Sequence, residues 1–209
     1  MIEILPYASR TGTRKNLAGL RARGWRLLVS ATGVHRTEGF ANYAIDNGAW
    51  TAHQKKIAFD SRAFIKVVIA LGMLADWIAV PDIVAGGRAS LNLSLKWLPW
   101  VLRHTKRALI PVQDGMVEDD IRDLLGDRVG IFVGGSTPWK LSTMAGWCRL
   151  AKEKDVWCHV GRVNSMQRIK RCQMAGATSF DGTNPTRFSK NQSKLTWAVR
   201  QRTLNLEEP

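Results

Sequence analysis

The chain reads as an α/β protein, a compact (β/α)8 barrel of the TIM type. Three observations predict it. Eight short apolar runs recur along the 209 residues, helical patterns fall between most of them, and the runs end in small, polar or acidic residues. Continuous rather than alternating apolar runs suit strands covered on both faces, as in a parallel sheet. Strands alternating with helices close into a barrel, here at the short end of that fold's size range. An open doubly wound sheet is the alternative. No linker, internal repeat or low-complexity segment divides the chain, so residues 1–209 are expected to form one domain with a substantial core.

The elements follow in order. IEILPYAS (2–9) and RLLVSA (26–31) are the first two runs, and the link over 31–41 is too rich in Gly and Thr for a full helix. NYAIDNG (42–48) is the third. A helix over 61–74 opens on Ser61 as a cap and carries an apolar face, and DWIAVPD (76–82) follows it. The next helix, 91–104, contains Pro99, which should kink or restart it. ALIPVQDG (108–115) precedes a helix over 117–125 whose acids stand at its start, as the helix dipole favours. VGIFVGG (129–135), VWCHVGRV (156–163) and TSFDGT (178–183) are each followed by a helical pattern, at 138–154, 165–175 and 189–202.

Charge narrows the function. Lys and Arg number 31 against 17 Asp and Glu, a net charge of +14. Such an excess points to a polyanionic partner, most commonly nucleic acid. A membrane surface fits less well, because no basic amphipathic anchor or lipidation signal is evident. Cys148, Cys158 and Cys172 form no CxxC pair, so no structural zinc is expected. MIEILPYASR has no signal-peptide pattern, and the apolar run 67–74 is too short to span a bilayer. A cytoplasmic protein with reduced thiols is the expectation.

In such a barrel the chemistry sits at the C-terminal ends of the strands. Those ends read Asp46-Asn47-Gly48, Asp82, Gln113-Asp114-Gly115, Gly134-Gly135-Ser136, Gly161-Arg162 and Asp181-Gly182-Thr183. Any single aspartate after a strand is as readily a helix cap or turn residue. The fold would gather several carboxylates, amides and glycine-exposed backbone at one mouth. His159 reads as a structural hydrogen-bonding histidine. His35, His53 and His104 show no metal spacing, and Trp97, Trp100, Trp139, Trp147 and Trp157 read as packing residues.

The segments AIDNGAW (44–50), VPDIVAG (80–86), PVQDG (111–115), FVGGS (132–136), HVGRVNS (159–165) and FDGTNPTR (180–187) resemble, in order, the strand-end motifs of the tRNA-guanine transglycosylase superfamily. That family's forms are DSGGF, an Asp-Glu, VQGG, a Gly-Gly segment, a GVG segment and FDCVLPTR. The last is the most specific, and Phe180, Asp181, Pro185, Thr186 and Arg187 match it.

The resemblance implies exchange of guanine for a 7-deazaguanine base, such as preQ0, at an N-glycosidic bond. The incoming base is then a co-substrate and no cofactor is needed. By the same likeness Asp181 is the nucleophile, forming a covalent glycosyl-enzyme, and Asp46 the general acid/base. Asp82 would accept from the N1 and N2 edge of the purine. Gln113 and the backbone N–H groups of Gly134 and Gly135 would address O6, Trp50 would stack on the base, and Val160 would close its other face.

The chain departs from the family pattern. The zinc module that follows FDCVLPTR in tRNA-modifying members has no counterpart, Asn47 and Ala49 stand for Ser and Gly, and Gly182-Thr183-Asn184 for Cys-Val-Leu. These departures point to the phage-type branch acting on DNA, in the host cytoplasm if phage-encoded. The alternatives are a tRNA substrate, a non-catalytic DNA-binding barrel subunit, or a base-excising glycosylase. A homodimer is compatible with the family's habits. From Arg162 to Thr203 the chain carries nine cations and one acid, a phosphate-facing strip. Arg187 and Lys190, with Arg162, are the expected contacts to phosphates beside the target. The target nucleoside would be flipped out of a duplex.

Overall fold

A computed structural model describes residues 4–201. It shows a closed barrel of eight parallel strands in sequential order: β1 (Leu5–Ser9), β2 (Arg26–Ser30), β3 (Tyr43–Asp46), β4 (Ile78–Ala79), β5 (Ala108–Val112), β6 (Val129–Val133), β7 (Cys158–Val160) and β8 (Ser179–Gly182). β8 closes on β1, pairing Tyr7 with Asp181 and Ala8 with Gly182. All eight expected strands are present, although residues 2 and 3 of the first run lie outside the described residues. β4 is only two residues long. It nonetheless registers with both neighbours, Ile45 opposite Ile78 and Ala79 opposite Leu109.

Strand alternation sorts the core into two layers. Tyr7, Leu28, Ala44, Trp77, Ala79 and Leu109 pack together inside the barrel, with Phe132 against them. The larger layer joins the outer strand faces to the helices. Inside, His159 sits in an aromatic box, its ring centroid 4.4 Å from Trp77, 4.9 Å from Phe132 and 5.7 Å from Tyr7. At the opposite end from the strand C-termini, Asp76 accepts from the Tyr7 hydroxyl (2.7 Å) and from Arg26 (2.9 Å), which closes the barrel floor with a paired polar group.

The helices depart from expectation in particular places. α1 (Arg14–Ala22) and α2 (Ala49–Lys55) were not expected. α1 is capped by Thr13, and α2 begins directly at the third strand end, where Gly48 adopts φ 86°. α3 (Ser61–Leu71) is capped by Asp60, which accepts from the Ala63 N–H, and not by Ser61. α4 (Gly87–Leu102) runs through Pro99 without a break. Pro99 and Leu95 both lie on the exposed face, so the Leu95 carbonyl that loses its donor faces water. The segment 117–125 is two short 3₁₀ turns, Glu118–Asp120 and Arg122–Leu124. The Asp120 carboxylate takes the Val117 N–H at 2.9 Å, competing with a regular helix start.

α5 (Thr137–Glu153) and α6 (Met166–Ala175) match their patterns closely. A short helix that was not expected, α7 (Asn184–Arg187), precedes the last helical region. That region, expected over 189–202, is a 3₁₀ turn (Ser189–Asn191) followed by α8 (Gln192–Arg200). Its expected end at Arg202 lies outside the described residues. The link over 31–41 holds no helix, as its composition predicts.

Candidate active site at the strand C-termini

A cavity of about 530 Å³ opens at the C-terminal ends of the strands. Leu28, Ala79, Pro111 and Phe132 are among its apolar lining residues; Asp46, Asn47, Asp82, Gln113, Gly134, Gly135, Arg162 and Asp181 are among its polar ones. Every strand-end group singled out by sequence therefore supplies at least one lining residue, while Asp114 stands outside the lining. Asp114 accepts from the Ser136 N–H at 2.7 Å and so fixes the Gly134-Gly135-Ser136 turn.

On the β3–β5 side the polar groups are saturated with one another. Asp82 is buried. Its Oδ1 accepts from Asn47 Nδ2 at 2.7 Å, and its Oδ2 accepts from Gln113 Nε2. Asn47 Nδ2 also donates to the Val80 carbonyl, and its Oδ1 accepts from the Ala49 N–H, tying α2 to the strand end. Gln113 Oε1 accepts from the N–H groups of Ala85 (3.1 Å) and Gly135 (2.8 Å). Burial pushes the Asp82 carboxyl up to about 6 despite these amides. Asp46, at the end of β3, is pushed up to about 7 by burial and then by the charges of Asp181 and Asp82, against the Gly48 N–H and Ser30. A carboxyl poised near neutrality suits proton transfer in either direction.

On the β7–β8 side lies Asp181, 6% exposed. Its Oδ1 accepts two hydrogen bonds, from His159 Nε2 at 3.1 Å and from the Arg162 backbone N–H at 3.1 Å. Oδ2 has no hydrogen-bond partner among the described residues. The histidine's state follows from its other side. Trp157 Nε1, a donor only, bonds Ser179 Oγ at 2.7 Å, so the Ser179 hydroxyl is free to donate to His159 Nδ1 at 2.8 Å. That leaves Nε2 as the protonated nitrogen, donating to Asp181. Burial holds the imidazole below its ordinary range and hence neutral. Gly182 makes the close approach behind Asp181, since a Cβ there would meet the Val163 carbonyl oxygen at 2.4 Å.

Several expected roles change. Val160 does not line the cavity: His159 points into the barrel, so its neighbour points outward into the helix layer and is buried there. The Gly134 N–H is taken by the Val112 carbonyl and the Gly135 N–H by Gln113, so neither is free to address a base. Gln113 is likewise committed as a brace. A Cβ at Gly134 would meet its Nε2 at 2.7 Å, so that glycine makes room for the brace. Trp50 does line the cavity, but the Arg162 guanidinium lies 4.0 Å from its ring centre. Arg162 also donates to the Gly135 carbonyl. It spans the cavity mouth and is no part of an outer strip.

Arg187 lines the cavity, whereas Lys190 stands beyond it on the exposed surface. Pro185 and Thr186 are buried against α1: Asn16 donates to the Thr186 carbonyl and Thr186 Oγ1 bonds Thr11. Asn164, which sequence reasoning passed over, accepts from the N–H groups of Thr183 and Asn184 and so sets the turn after Asp181. Outward on α6 and α8 stand Lys170, Arg171, Lys194 and Arg200; among the described residues none of them makes an ion pair.

Among the described residues, no group of three His, Cys, Asp or Glu side chains is placed to hold a metal, and no helix is long and apolar enough to cross a membrane. No family model and no curated protein sequence matches the chain.

Proposed function

We propose that this barrel is a base-exchanging transferase acting on guanine nucleotides in DNA, with a 7-deazaguanine as the incoming base. The observation that carries the reading is the state of Asp181: one oxygen is held by a neutral histidine and a backbone N–H, and the other has no partner among the described residues and lies at a cavity of nucleoside size. That is the arrangement of a nucleophile held for attack. The ordered likeness to transglycosylase motifs supports the same reading.

In the first step Asp181 Oδ2 attacks C1′ of the sugar. The C1′–N9 bond breaks, its electron pair leaves with guanine, and Asp46, protonated in part at neutral pH, supplies the proton. In the second step the incoming base gives up a proton to Asp46 and attacks C1′ through N9, and the C1′–O electron pair returns to Asp181. Two inversions retain the sugar configuration. Asp82 presents acceptors to the purine edge. Because Gln113 and the two glycine N–H groups are committed elsewhere, O6 recognition falls to other donors, and Arg162, 4.0 Å from the Trp50 ring centre, is the candidate. A base stacking on Trp50 requires Arg162 to leave that face or to sandwich the base from above.

A nucleic-acid substrate is supported by the net charge and by cations from Arg187 along α8 and α6 that make no ion pair among the described residues. The choice of DNA over tRNA rests on the departures from the family motifs at Asn47, Ala49 and Gly182-Thr183-Asn184. The test is to incubate the protein with labelled guanine and either guanine-containing duplex DNA or tRNA, beside Asp181→Ala. Label entering DNA, and lost in the variant, supports the reading. Label entering only tRNA retains the chemistry and overturns the substrate. Free guanine released with abasic sites left in the DNA indicates a hydrolase.

A further inference from the structure

Lys140 is 2% exposed, an unusual state for a lysine, and the steps above do not use it. It projects from the first turn of α5, and its ammonium donates to the Gly161 carbonyl, its sole protein hydrogen bond among the described residues. The carbonyl of Gly161 and the N–H of Arg162 belong to one peptide group. That N–H is the one that donates to Asp181 Oδ1. In a trans peptide the C=O and N–H point in opposite directions. Lys140, the peptide and Asp181 thus form one line: ammonium to oxygen, then N–H to carboxylate.

We propose that Lys140 is a positioning residue for Asp181, acting through the Gly161–Arg162 peptide. The inference rests on the transglycosylase reading for its kinetic consequences and on geometry alone for the linkage. A cationic donor at the oxygen polarises the peptide and strengthens its N–H as a donor. It also fixes the peptide's orientation where the backbone is otherwise costly: Arg162 has φ 60°, in the left-handed region. The lysine is mostly charged at neutral pH, although burial and then the Arg162 charge pull it down to about 8, with Arg168 adding to that and Asp181 and Cys172 opposing it. Asp181 is thereby the countercharge that makes a buried ammonium tolerable.

The arrangement acts on both steps. A carboxylate stabilised through the peptide is a better leaving group when the incoming base displaces it. Removing the charge slows that return and tilts the equilibrium toward the covalent ester.

The experiment compares wild type, Lys140→Met, Lys140→Arg and Asp181→Asn. The first readout needs no substrate: the amide proton of Arg162 in a ¹H–¹⁵N spectrum, which lies downfield when bonded to a carboxylate. Lys140→Met and Asp181→Asn should both move it upfield, while Lys140→Arg keeps it near the wild-type position. The second readout is exchange. Lys140→Met should lower kcat about ten-fold with KM for DNA nearly unchanged, and raise the adduct fraction on a denaturing gel. Lys140→Arg should recover most of the rate. An Arg162 resonance unmoved by Lys140→Met, in a spectrum otherwise native, overturns the linkage. Equal losses of rate and of melting temperature in the Met and Arg variants overturn it too, since they mark a packing role only. A shifted resonance in a protein without exchange activity keeps the linkage and removes the transglycosylase reading instead.

Discussion

Asp82 on the β4 side of the cavity and Asp181 on the β8 side are both buried carboxylates at the ends of parallel strands, yet their oxygens are used differently. Both oxygens of Asp82 are bonded, each by a side-chain amide that is itself tied to backbone. Among the described residues, Asp181 has both its bonds on one oxygen and none on the other. The first arrangement makes a fixed acceptor surface, suited to recognition. The second makes a rigid group with a free reactive edge. Asp46 is the carboxyl moved nearest to neutrality, by burial first and then by the charges of both Asp181 and Asp82. Burial alone does not separate a recognition carboxylate from a reactive one; the distribution of hydrogen bonds over its two oxygens does.

That comparison is broken most severely at Asp181. Asp181→Asn should reduce exchange by at least about 1,000-fold while leaving DNA affinity near wild type, measured by label incorporation and by filter binding. An Asp82→Asn variant with an equal loss in kcat, and no change in KM, would erase the distinction.

Asp46→Asn should cost roughly 100-fold or more in exchange. In the wild type, adduct formation without an incoming base should fall as pH rises through about 7, because the proton given to guanine is then lost from Asp46. The sign for stability is the same. A carboxyl raised in the folded state contributes stability that is full below its unfolded value near 4 and is lost as pH rises through about 7. Asp46→Asn should therefore melt about 5 °C higher than wild type at pH 8, and show little gain at pH 4.

Gln113→Ala sharpens the contrast from the other side. It removes a donor to Asp82 and the acceptor for two backbone N–H groups. KM for the incoming base should rise about ten-fold with a smaller change in kcat. The smallest effect is expected outside the cavity: Lys194→Gln should leave kcat unchanged and flatten the salt dependence of DNA binding by about one ion.

Much of this was legible in the sequence because strand ends carry short-range signals. Eight continuous apolar runs gave the barrel, and the strand-end groups read at β3 to β8 gave the polar residues Asp46, Asn47, Asp82, Gln113, Arg162 and Asp181 of the cavity. The lining supplied after β1 and β2, such as Ser9, Thr11, Ser30 and Thr32, was not among those groups. The internal bracing was not legible. Lys140 and Asn164 act through backbone groups distant in sequence, and Ser179 through the side chains of Trp157 and His159; nothing in their local pattern marks them. Val160 shows the limit most clearly. Its assignment to the base followed motif likeness, while the facing of β7 is set by His159 one residue earlier. Counting inward and outward positions from that histidine would have placed Val160 in the helix layer. α2 was missed because its left-handed glycine start looks like a turn. Arg162 was read as a surface cation because charge counting along a segment does not distinguish a side chain that folds back over Trp50.

The most direct test of the central claim is to mix the protein with guanine-containing duplex DNA without an incoming base, denature, digest, and locate any glycosyl ester by mass spectrometry. The account predicts an adduct on the peptide containing Asp181, absent in Asp181→Asn and discharged when guanine is added before denaturation. Base exchange proceeding with no adduct, or an adduct on a different residue, would contradict it.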